Sequence, residues 1–391
     1  MRFNPSRRHL VRWTGAAALV PWLASCGGGG GSGNAGAIVL PTATPETPSR
    51  DAAYVKAVEA LMSTYRPPGV LAGVRVAGAA PWTRAFGQAD VAKATPLSLN
   101  STFPLRSITK SFTVTAFLQL VKLGQLGLDD KVARYIAGVP NGSLISLADL
   151  AGNQSGLADY SMQPGFIEAF VKDFLRVWTP RELVAISFAV PPSFLPGEQY
   201  EYSNTNTVLL GLVIEAVTGL PLADVLAAQI FRPLALTGTS YPSTATLPPP
   251  APTGYAVDVA TGTVDDQPLV SPTCLAGSGA MASTLTDLLA WGDALGRGTL
   301  IGAELQGIRR SRARDVTNGP EYDRYGLGIG QIGNWWGHTG SGVGFQVATM
   351  FLEARSATVS VMVNASPDGG RQHLNLAQEL FEKLAAVVEA A

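Results

Sequence analysis

A serine and a lysine that stand three residues apart, Ser107 and Lys110, could form a nucleophile and its base. They lie in the segment PLRSITKSFTV, where a helix-periodic apolar run begins, so Ser107 is expected at the start of a helix. Three-residue spacing places both side chains on one face of that helix. A serine hydroxyl needs an adjacent base, and a lysine can serve when burial and the positive potential of a helix N-terminus lower its pKa. The pair therefore predicts nucleophilic catalysis by Ser107, with Lys110 as the activating amine.

Two later segments carry side chains that could complete such a site. Tyr202-Ser203-Asn204 is the only Tyr-x-Asn in the chain, and residues 338–340 form the only His-Thr-Gly. Each has a simpler interpretation: Tyr202 as a core tyrosine, Asn204 as a helix cap and His338 as a structural histidine. Each of the three motifs occurs only once in the chain, and their joint occurrence in this order is hard to explain by chance. Together they favour a catalytic site over these alternatives.

From about Val55 to Asn364 the chain resembles serine hydrolases of the class C β-lactamase type, and most of all the D-alanyl-D-alanine carboxypeptidases of that group. The segments that carry the resemblance are RSITKSF, the stretch Leu150–Tyr160, YSNTN, IFRPLALTGT, AGSGAMASTLTDL, YGLG and GHTG. The resemblance implies an α/β plus all-α fold. An antiparallel β-sheet would be flanked by N- and C-terminal helices, a helical insertion domain would lie against it, and the active site would occupy the cleft between them.

The same resemblance implies catalytic roles for three residues. Ser107 would be the acylated nucleophile, and Lys110 would abstract or relay its proton. Tyr202 would be the partner acid/base that protonates the leaving group and, in some members, activates the deacylating water. No cofactor is expected in such a mechanism.

Substrate binding is implied for Asn204 and for the strand-like segment His338, Thr339, Gly340 and Ser341. Asn204 would bind the amide of the acyl side chain and orient the lysine. His338 stands where many relatives have lysine, so an imidazole, neutral or charged, would replace an ammonium group. The backbone amides of Ser107 and Ser341 would form the oxyanion hole.

One departure from the family bears on the substrate. Carboxypeptidases of the group often have an arginine just after Y-G-L-G, whereas Tyr325–Gly328 is followed here by Ile329, Gly330 and Gln331. Without that guanidinium a bidentate anchor for a substrate carboxylate is missing. A D,D-peptidase or carboxypeptidase activity on peptidoglycan-type peptides leads the expectations, followed by esterase and then β-lactamase activity. The expected partner in each case is a small-molecule or peptide substrate. A non-catalytic sensor of β-lactams or wall peptides is the alternative from another class.

Hydrophobic periodicity predicts a sheet built by both ends of the chain and helices in its middle. The serine hydrolase domain is expected at residues 51–391, with its helical part at about 111–265. The predicted helices are Asp51–Tyr65, Pro180–Ala189, Thr205–Thr218, Leu222–Phe231, Thr284–Leu295 and Gln372–Val388. The predicted strands are Gly69–Val76, Trp82–Gly87, Tyr325–Ile332, Gly344–Leu352 and Ala357–Asn364. A basic cluster, Arg309, Arg310, Arg312 and Arg314, is interpreted as a solvated face in a loop-like stretch.

The N-terminal segment has the composition of an export signal. Residues 1–25 combine a basic start with a short apolar stretch, and Leu23–Cys26 resembles the bacterial lipobox. Cys26 is therefore predicted to be lipidated, with an ordinary thiol as the alternative, and residues 26–50 are predicted to be a Gly/Pro-rich tether. The expected location is the bacterial cell envelope, as a monomeric periplasmic lipoprotein held to a membrane by its lipid.

Composition excludes some other functions. The 391 residues carry a formal net charge of −1 and 46% hydrophobic residues, so a large core is expected and the basic stripe of a nucleic-acid-binding protein is not. Beyond the leader only His338, His373 and Cys274 could join a nitrogen and sulfur zinc site, too few for a closed one. Cys274, in an apolar stretch, is predicted to be a small buried hydrophobe.

Overall fold

The structure, a computed structural model, describes residues 50–317, 322–367 and 374–390. The predicted signal peptide, Cys26 and the tether up to residue 49 lie outside the described residues, as does His373. Export, lipidation and membrane attachment therefore stay predictions. The predicted domain bounds also stay predictions.

Fourteen strands and ten α-helices occur among the described residues. The strands are β1 Gly69–Val76, β2 Trp82–Asp90, β3 Thr95–Pro96, β4 Phe103–Pro104, β5 Tyr255–Val257, β6 Val264–Asp266, β7 Ala282–Ser283, β8 Arg314–Asp315, β9 Arg324–Tyr325, β10 Gly330–Ile332, β11 Trp335–Gly342, β12 Phe345–Leu352, β13 Ala357–Val363 and β14 Ala365–Pro367. The helices are α1 Arg50–Tyr65, α2 Thr109–Lys122, α3 Leu147–Ala151, α4 Pro164–Lys172, α5 Pro180–Phe188, α6 Asn204–Thr218, α7 Leu222–Leu226, α8 Leu285–Arg297, α9 Ala303–Ser311 and α10 Leu376–Glu389.

Nine strands form one antiparallel sheet in the order β3-β2-β1-β13-β12-β11-β10-β9-β8. Its central strands β12 and β13 are mainly apolar runs in which every residue is buried. Such runs are typical of strands covered on both faces. Here α1 and α10 pack against one face and α8 against the other, so the first and last described helices share one layer.

The helix α8 approaches the sheet closely because it carries two glycines on its inner side. A Cβ on Gly292 would lie 2.3 Å from Thr349 Oγ1, and a Cβ on Gly296 would lie 2.2 Å from the Phe351 ring. These glycines leave room for the sheet side chains beneath the helix.

The helices α2 to α7 follow β4 and precede β5, and α2 is buried along most of its length. It packs against α6, whose first turns are also buried. The predicted combination of an antiparallel sheet, terminal helices and a helical insertion is confirmed. Within the described ranges, no single helix is long and apolar enough to cross a membrane, although α6 with the helical segment Leu222–Phe231 passes that test as a pair bent by 82°.

Three local predictions were wrong. The predicted strand Tyr325–Ile332 is two short strands, β9 and β10, because a turn containing Gly328 at a φ of 63° separates them. Trp335–Gly342 was not predicted as a strand, since three glycines obscure its pattern. The arginine cluster lies partly in helix α9, and Arg309 is only 1% exposed.

Arg309 is buried because its guanidinium joins three elements. Its Nε donates to Leu327 O at 2.9 Å, and its Nη2 donates to Thr115 Oγ1 at 2.7 Å and to Ser111 O at 3.3 Å. It therefore ties α9 to α2 and to the turn between β9 and β10. The prediction for Cys274 is confirmed, because its thiol is free and buried.

Candidate active site

Ser107 lies in a tight 3-10 turn, Arg106–Ile108, that leads into α2. The turn starts with Arg106 at a φ of 50°, in the left-handed region that a non-glycine residue seldom adopts. Ser107 does not cap the helix with its side chain, as a simple start signal would. The hydroxyl of Ser107 is thereby left free to face other side chains.

Two of the predicted catalytic side chains meet at that hydroxyl. Lys110 Nζ lies 3.2 Å from Ser107 Oγ, and the Tyr202 hydroxyl lies 2.7 Å from the same atom. Tyr202 comes from the segment just before α6, 95 residues along the chain. Three residues predicted from two separate motifs are thus in direct contact around one oxygen.

Lys110 is fully buried, and burial lowers the pKa of its amine to about 7, while the charge of Asp159 acts in the opposite direction. Burial is therefore the main cause of the lowered pKa, before any contribution from the helix N-terminus. The amine has two further partners, Asn204 Oδ1 at 2.6 Å and Ser278 O at 2.9 Å.

Both of these partners are oxygen atoms that can only accept. A neutral amine has two N–H donors and one lone pair, so it can donate to Asn204 and Ser278 and still accept the Ser107 proton. The geometry therefore suits Lys110 as the base that activates the serine.

Tyr202 is a protonated acid, whereas Lys110 is a neutral base. Burial raises the pKa of its phenol, so the hydroxyl stays protonated at neutral pH and donates to Ser107 Oγ. The Lys110 amine lies 4.8 Å from the centre of the Tyr202 ring. One side chain is poised to accept a proton and the other to give one.

Asn204 is the first residue of α6, after the N-cap residue Ser203, so it is not the cap of that helix. Its Oδ1 holds Lys110, and its Nδ2 donates to Asp159 Oδ2 at 2.9 Å and to Ser161 Oγ at 3.1 Å. The orienting contact to the lysine is therefore present. Both amide protons already have protein partners, so binding a substrate amide would require one of them to be released.

Asp159 and Ser278 were not singled out from the sequence. Asp159 is half-buried, and among the described residues its carboxylate has no cationic partner within ion-pair distance. Its position in the stretch Leu150–Tyr160 was a signal that could have found it. Ser278 contributes only a backbone carbonyl, which no side-chain pattern reveals.

The strand β11 brings the segment His338–Ser341 beside the nucleophile turn. Gly340 has no room for a side chain, because a Cβ there would lie 2.4 Å from Leu105 O. Ser341 is exposed at the end of the strand, and its Oγ accepts from Gln346 Nε2 at 3.1 Å. The strand and the turn are in close contact, as the predicted oxyanion hole from the amides of Ser107 and Ser341 requires.

His338 is fully buried, and its two ring nitrogens have partners. Nδ1 lies 2.6 Å from Thr339 O, which can only accept, so Nδ1 carries the proton; Nε2 then accepts from the Tyr325 hydroxyl at 3.0 Å. Burial lowers the pKa of the imidazole to about 3, so it is neutral.

Tyr322 completes this group, because its hydroxyl accepts from Thr339 N at 2.7 Å and contacts Thr339 Oγ1 at 2.8 Å. A direct contact between a substrate and either His338 or the Thr339 hydroxyl would require these side chains to move. No group of His, Cys, Asp and Glu in the described part of the chain is arranged to hold a metal ion.

Comparisons with known proteins agree with this geometry. The sequence profile of the family described as Beta-lactamase matches residues 55–382. A penicillin-binding protein of Bacillus subtilis (strain 168) is 33% identical over 156 residues, which are 39% of this chain and 34% of that protein. A D-aminopeptidase of Brucella anthropi is 30% identical over 235 residues, 60% of this chain and 44% of that protein. The chain thus spans less than half of these relatives.

A solved structure covers more of the chain. The D-stereospecific amidohydrolase from Streptomyces sp. matches with a TM-score of 0.73 at 30% identity, over 86% of this chain and 98% of that one. The family profile covers most of the chain, and the site has the serine, lysine and tyrosine that the sequence predicted. The chain belongs to the Beta-lactamase family of serine hydrolases.

Proposed function

We propose that the protein is a serine amidohydrolase that cleaves D-amino acid amides, or peptides with a free N-terminal D-residue, through an acyl-enzyme on Ser107. The observation that carries the substrate class is Asp159, a carboxylate without a cationic partner in the described structure, one amide side chain away from Lys110. The names of the D-aminopeptidase and the D-stereospecific amidohydrolase support the same class.

Acylation follows from the hydrogen bonds around Ser107. As Oγ attacks the substrate carbonyl, its proton passes to the neutral Lys110 amine. The negative charge on the carbonyl oxygen would be stabilised by the backbone amides of Ser107 and Ser341. The Tyr202 phenol then gives its proton to the leaving nitrogen, because an amine anion is too basic to leave unprotonated.

Deacylation reverses these proton transfers. The Tyr202 phenolate takes a proton from water as the water oxygen attacks the ester carbonyl. Ser107 Oγ leaves and recovers its proton from the Lys110 ammonium group. Both side chains return to their starting states, so the cycle needs no other acid or base.

Asp159 favours a substrate with an ammonium group. Its Oδ1 accepts from Ser161 N and Ser161 Oγ, and its Oδ2 accepts from Asn204 Nδ2. These are neutral donors, so the negative charge of the carboxylate is not neutralised by the protein within the described residues. The α-ammonium group of a bound amino acid amide could supply the missing positive charge.

A carboxypeptidase needs a positively charged side chain near its leaving group, because the leaving group carries the terminal carboxylate of the substrate. No arginine follows Y-G-L-G, and the carboxylate of Asp159 would repel a substrate carboxylate nearby. These two features favour the amidase and aminopeptidase class over the D-alanyl-D-alanine carboxypeptidase that the sequence resemblance suggested.

A set of matched substrates tests the proposal. We expect turnover of D-alanine p-nitroanilide, at least tenfold slower turnover of the L-isomer, and loss of activity when the amine is acetylated. Faster release of the terminal D-alanine from an acylated peptide ending in D-Ala-D-Ala would overturn the substrate class. A single stoichiometric burst without turnover would instead indicate a sensor.

Two variants connect this preference to the structure. In Asp159→Asn the KM for D-alanine p-nitroanilide should rise, while the KM for an uncharged p-nitrophenyl ester should be unaffected. Loss of the Asp159 charge also lowers the pKa of Lys110 further, so the acidic limb of the pH profile should move to lower pH for both substrates. The matched control is Asp173→Asn, which changes an exposed carboxylate at the end of α4. Equal effects of Asp159→Asn on the KM for the charged and uncharged substrates would show a structural role only.

A further inference from the structure

A cavity of about 400 Å³ adjoins the nucleophile turn at Pro104 and Arg106, and the catalytic side chains do not line it. Its walls are mainly apolar and include Pro104, Leu269, Val270, Met281 and Phe345. Its volume is within the range of small-molecule sites in proteins. A cavity of this size and lining can hold the apolar body of a small organic molecule.

One wall of this cavity is charged. Arg106 is the only charged residue among those that line it. Arg106 is 6% exposed, and none of the ion pairs in the described ranges includes its guanidinium. Its Nε is buried without a hydrogen-bond partner there. A buried charge without a counter-charge is costly, so a ligand that supplies one has a clear energetic reason to bind.

The surrounding chain holds Arg106 in place. Its Nη2 donates to Val343 O at 2.7 Å, and its guanidinium carbon lies 5.7 Å from the centre of the Phe345 ring. Gly342 makes room for it, because a Cβ there would lie 3.0 Å from both Cδ and Nε of the arginine. The side chain is therefore positioned before any ligand arrives, which lowers the entropic cost of binding.

We propose that this cavity binds a small organic acid, with its apolar body against the proline, leucine and methionine side chains and its carboxylate paired with Arg106. The site goes beyond the proposed amidase function, because none of the side chains that take part in the acylation of Ser107 lines the cavity. It adjoins the catalytic site at two points of the chain, since Arg106 precedes Ser107 and Gly279 follows Ser278, whose carbonyl holds Lys110.

Calorimetric titration with two matched probes tests this site. We expect the full-length protein to bind 4-phenylbutyrate at least tenfold more tightly than the uncharged 4-phenylbutan-1-ol. Arg106→Met should abolish that preference, whereas Arg75→Met, which removes an exposed guanidinium on β1, should keep it. Equal affinity for acid and alcohol in the wild type, or a preference unchanged in Arg106→Met, would overturn the proposal.

A second variant keeps the test decisive if Arg106→Met does not fold. Ala245 lines the cavity and is half-buried, so Ala245→Trp should fill the space without touching the nucleophile turn. Both probes should then bind at least tenfold more weakly. Unchanged binding of the acid in a folded Ala245→Trp protein would show that the cavity is not its site.

A final experiment distinguishes whether the acid is a separate molecule or part of a substrate. The titration is repeated after a fluorophosphonate has blocked Ser107. Retained affinity indicates a separate molecule, and lost affinity indicates the distal carboxylate of a substrate that reaches from Ser107. Because turnover is not measured, failure of this inference is distinguishable from failure of the proposed amidase function.

Discussion

Lys110 Nζ and Asn204 Oδ1 lie 2.6 Å apart, the shortest of the three polar contacts that the buried amine makes. An amide oxygen accepts a hydrogen bond from either form of the amine, but it carries no full charge that would favour the ammonium form. The contact therefore orients the lysine while burial keeps its pKa low.

Replacing that amide by a carboxylate should reverse this effect. In Asn204→Asp the new negative charge favours the ammonium form, and a neighbouring opposite charge typically shifts a pKa by about 1–3 units. The acidic limb of kcat/KM should move to higher pH by at least one unit. Asn100→Asp, at an exposed position, is the matched control. A lower rate with an unchanged pH profile would contradict the role assigned to Asn204.

Tyr202→Phe should affect amides more than activated esters. The phenol is assigned to protonate the leaving nitrogen, and p-nitrophenolate leaves without a proton. We expect kcat for a D-amino acid amide to fall by about 10²–10⁴-fold, with a much smaller loss in acylation by a p-nitrophenyl ester. Tyr135→Phe removes a hydroxyl bonded to Asp130 and serves as control. Equal losses for both substrates would argue against a general-acid role.

Gly340→Ala should separate β11 from the nucleophile turn. The new methyl group would lie 2.4 Å from Leu105 O and 3.1 Å from Arg106 Cβ, so the backbone must shift. Overpacking of this kind costs about 1–3 kcal/mol of stability, and acylation of Ser107 should slow further because the strand supplies the predicted oxyanion amide. Thermal unfolding and labelling by a fluorophosphonate measure the two effects.

Gly307→Ala is the matched control for that substitution. Gly307 lies within α9, and a Cβ there would have no atom within 4 Å apart from its chain neighbours and the backbone of its own helix. Alanine in a helix interior should stabilise the protein by about 0.5–1 kcal/mol and leave the rate of labelling unchanged. If both alanine variants slow the labelling of Ser107 equally, the close contact at Gly340 is not the cause of the slower labelling.

Cys26→Ser tests the predicted lipid anchor. The parent protein expressed in a bacterium should be processed at Cys26 in a globomycin-sensitive manner and should fractionate with membranes. The serine variant should lose both the added mass of the lipid and the membrane association. A mature wild-type protein without lipid would overturn the prediction, while the chemistry at Ser107 would be unaffected.

The catalytic residues could be predicted because their signals are local. Ser107 and Lys110 are one helical turn apart, so spacing alone brings them together. Tyr202 lies 95 residues after Ser107 and Asn204 lies 94 residues after Lys110, and the family resemblance was needed to place them beside the pair. Asp159 and the Ser278 carbonyl reach the site only through the packing of loops, which spacing does not describe.

The sheet was predictable where its strands are mainly apolar, as in β12 and β13. The strand β11 was missed because Gly337, Gly340 and Gly342 are typical of turns, yet here glycine is needed where the strand passes the nucleophile turn. Arg309 was misjudged because a charged side chain is normally solvated. Its burial depends on backbone carbonyls contributed by distant residues.

The rate at which a fluorophosphonate phosphonylates Ser107, measured against pH in wild type and in Lys110→Met, tests the central claim most directly. Since the pKa of Lys110 is lowered to about 7, the neutral base is lost below that pH. The wild-type rate should therefore rise tenfold per pH unit below pH 7 and level off above it. In Lys110→Met the rate should fall by at least about 10³-fold and lose that pH dependence. A wild-type rate that does not change between pH 5 and 9, or undiminished labelling in Lys110→Met, would contradict the account.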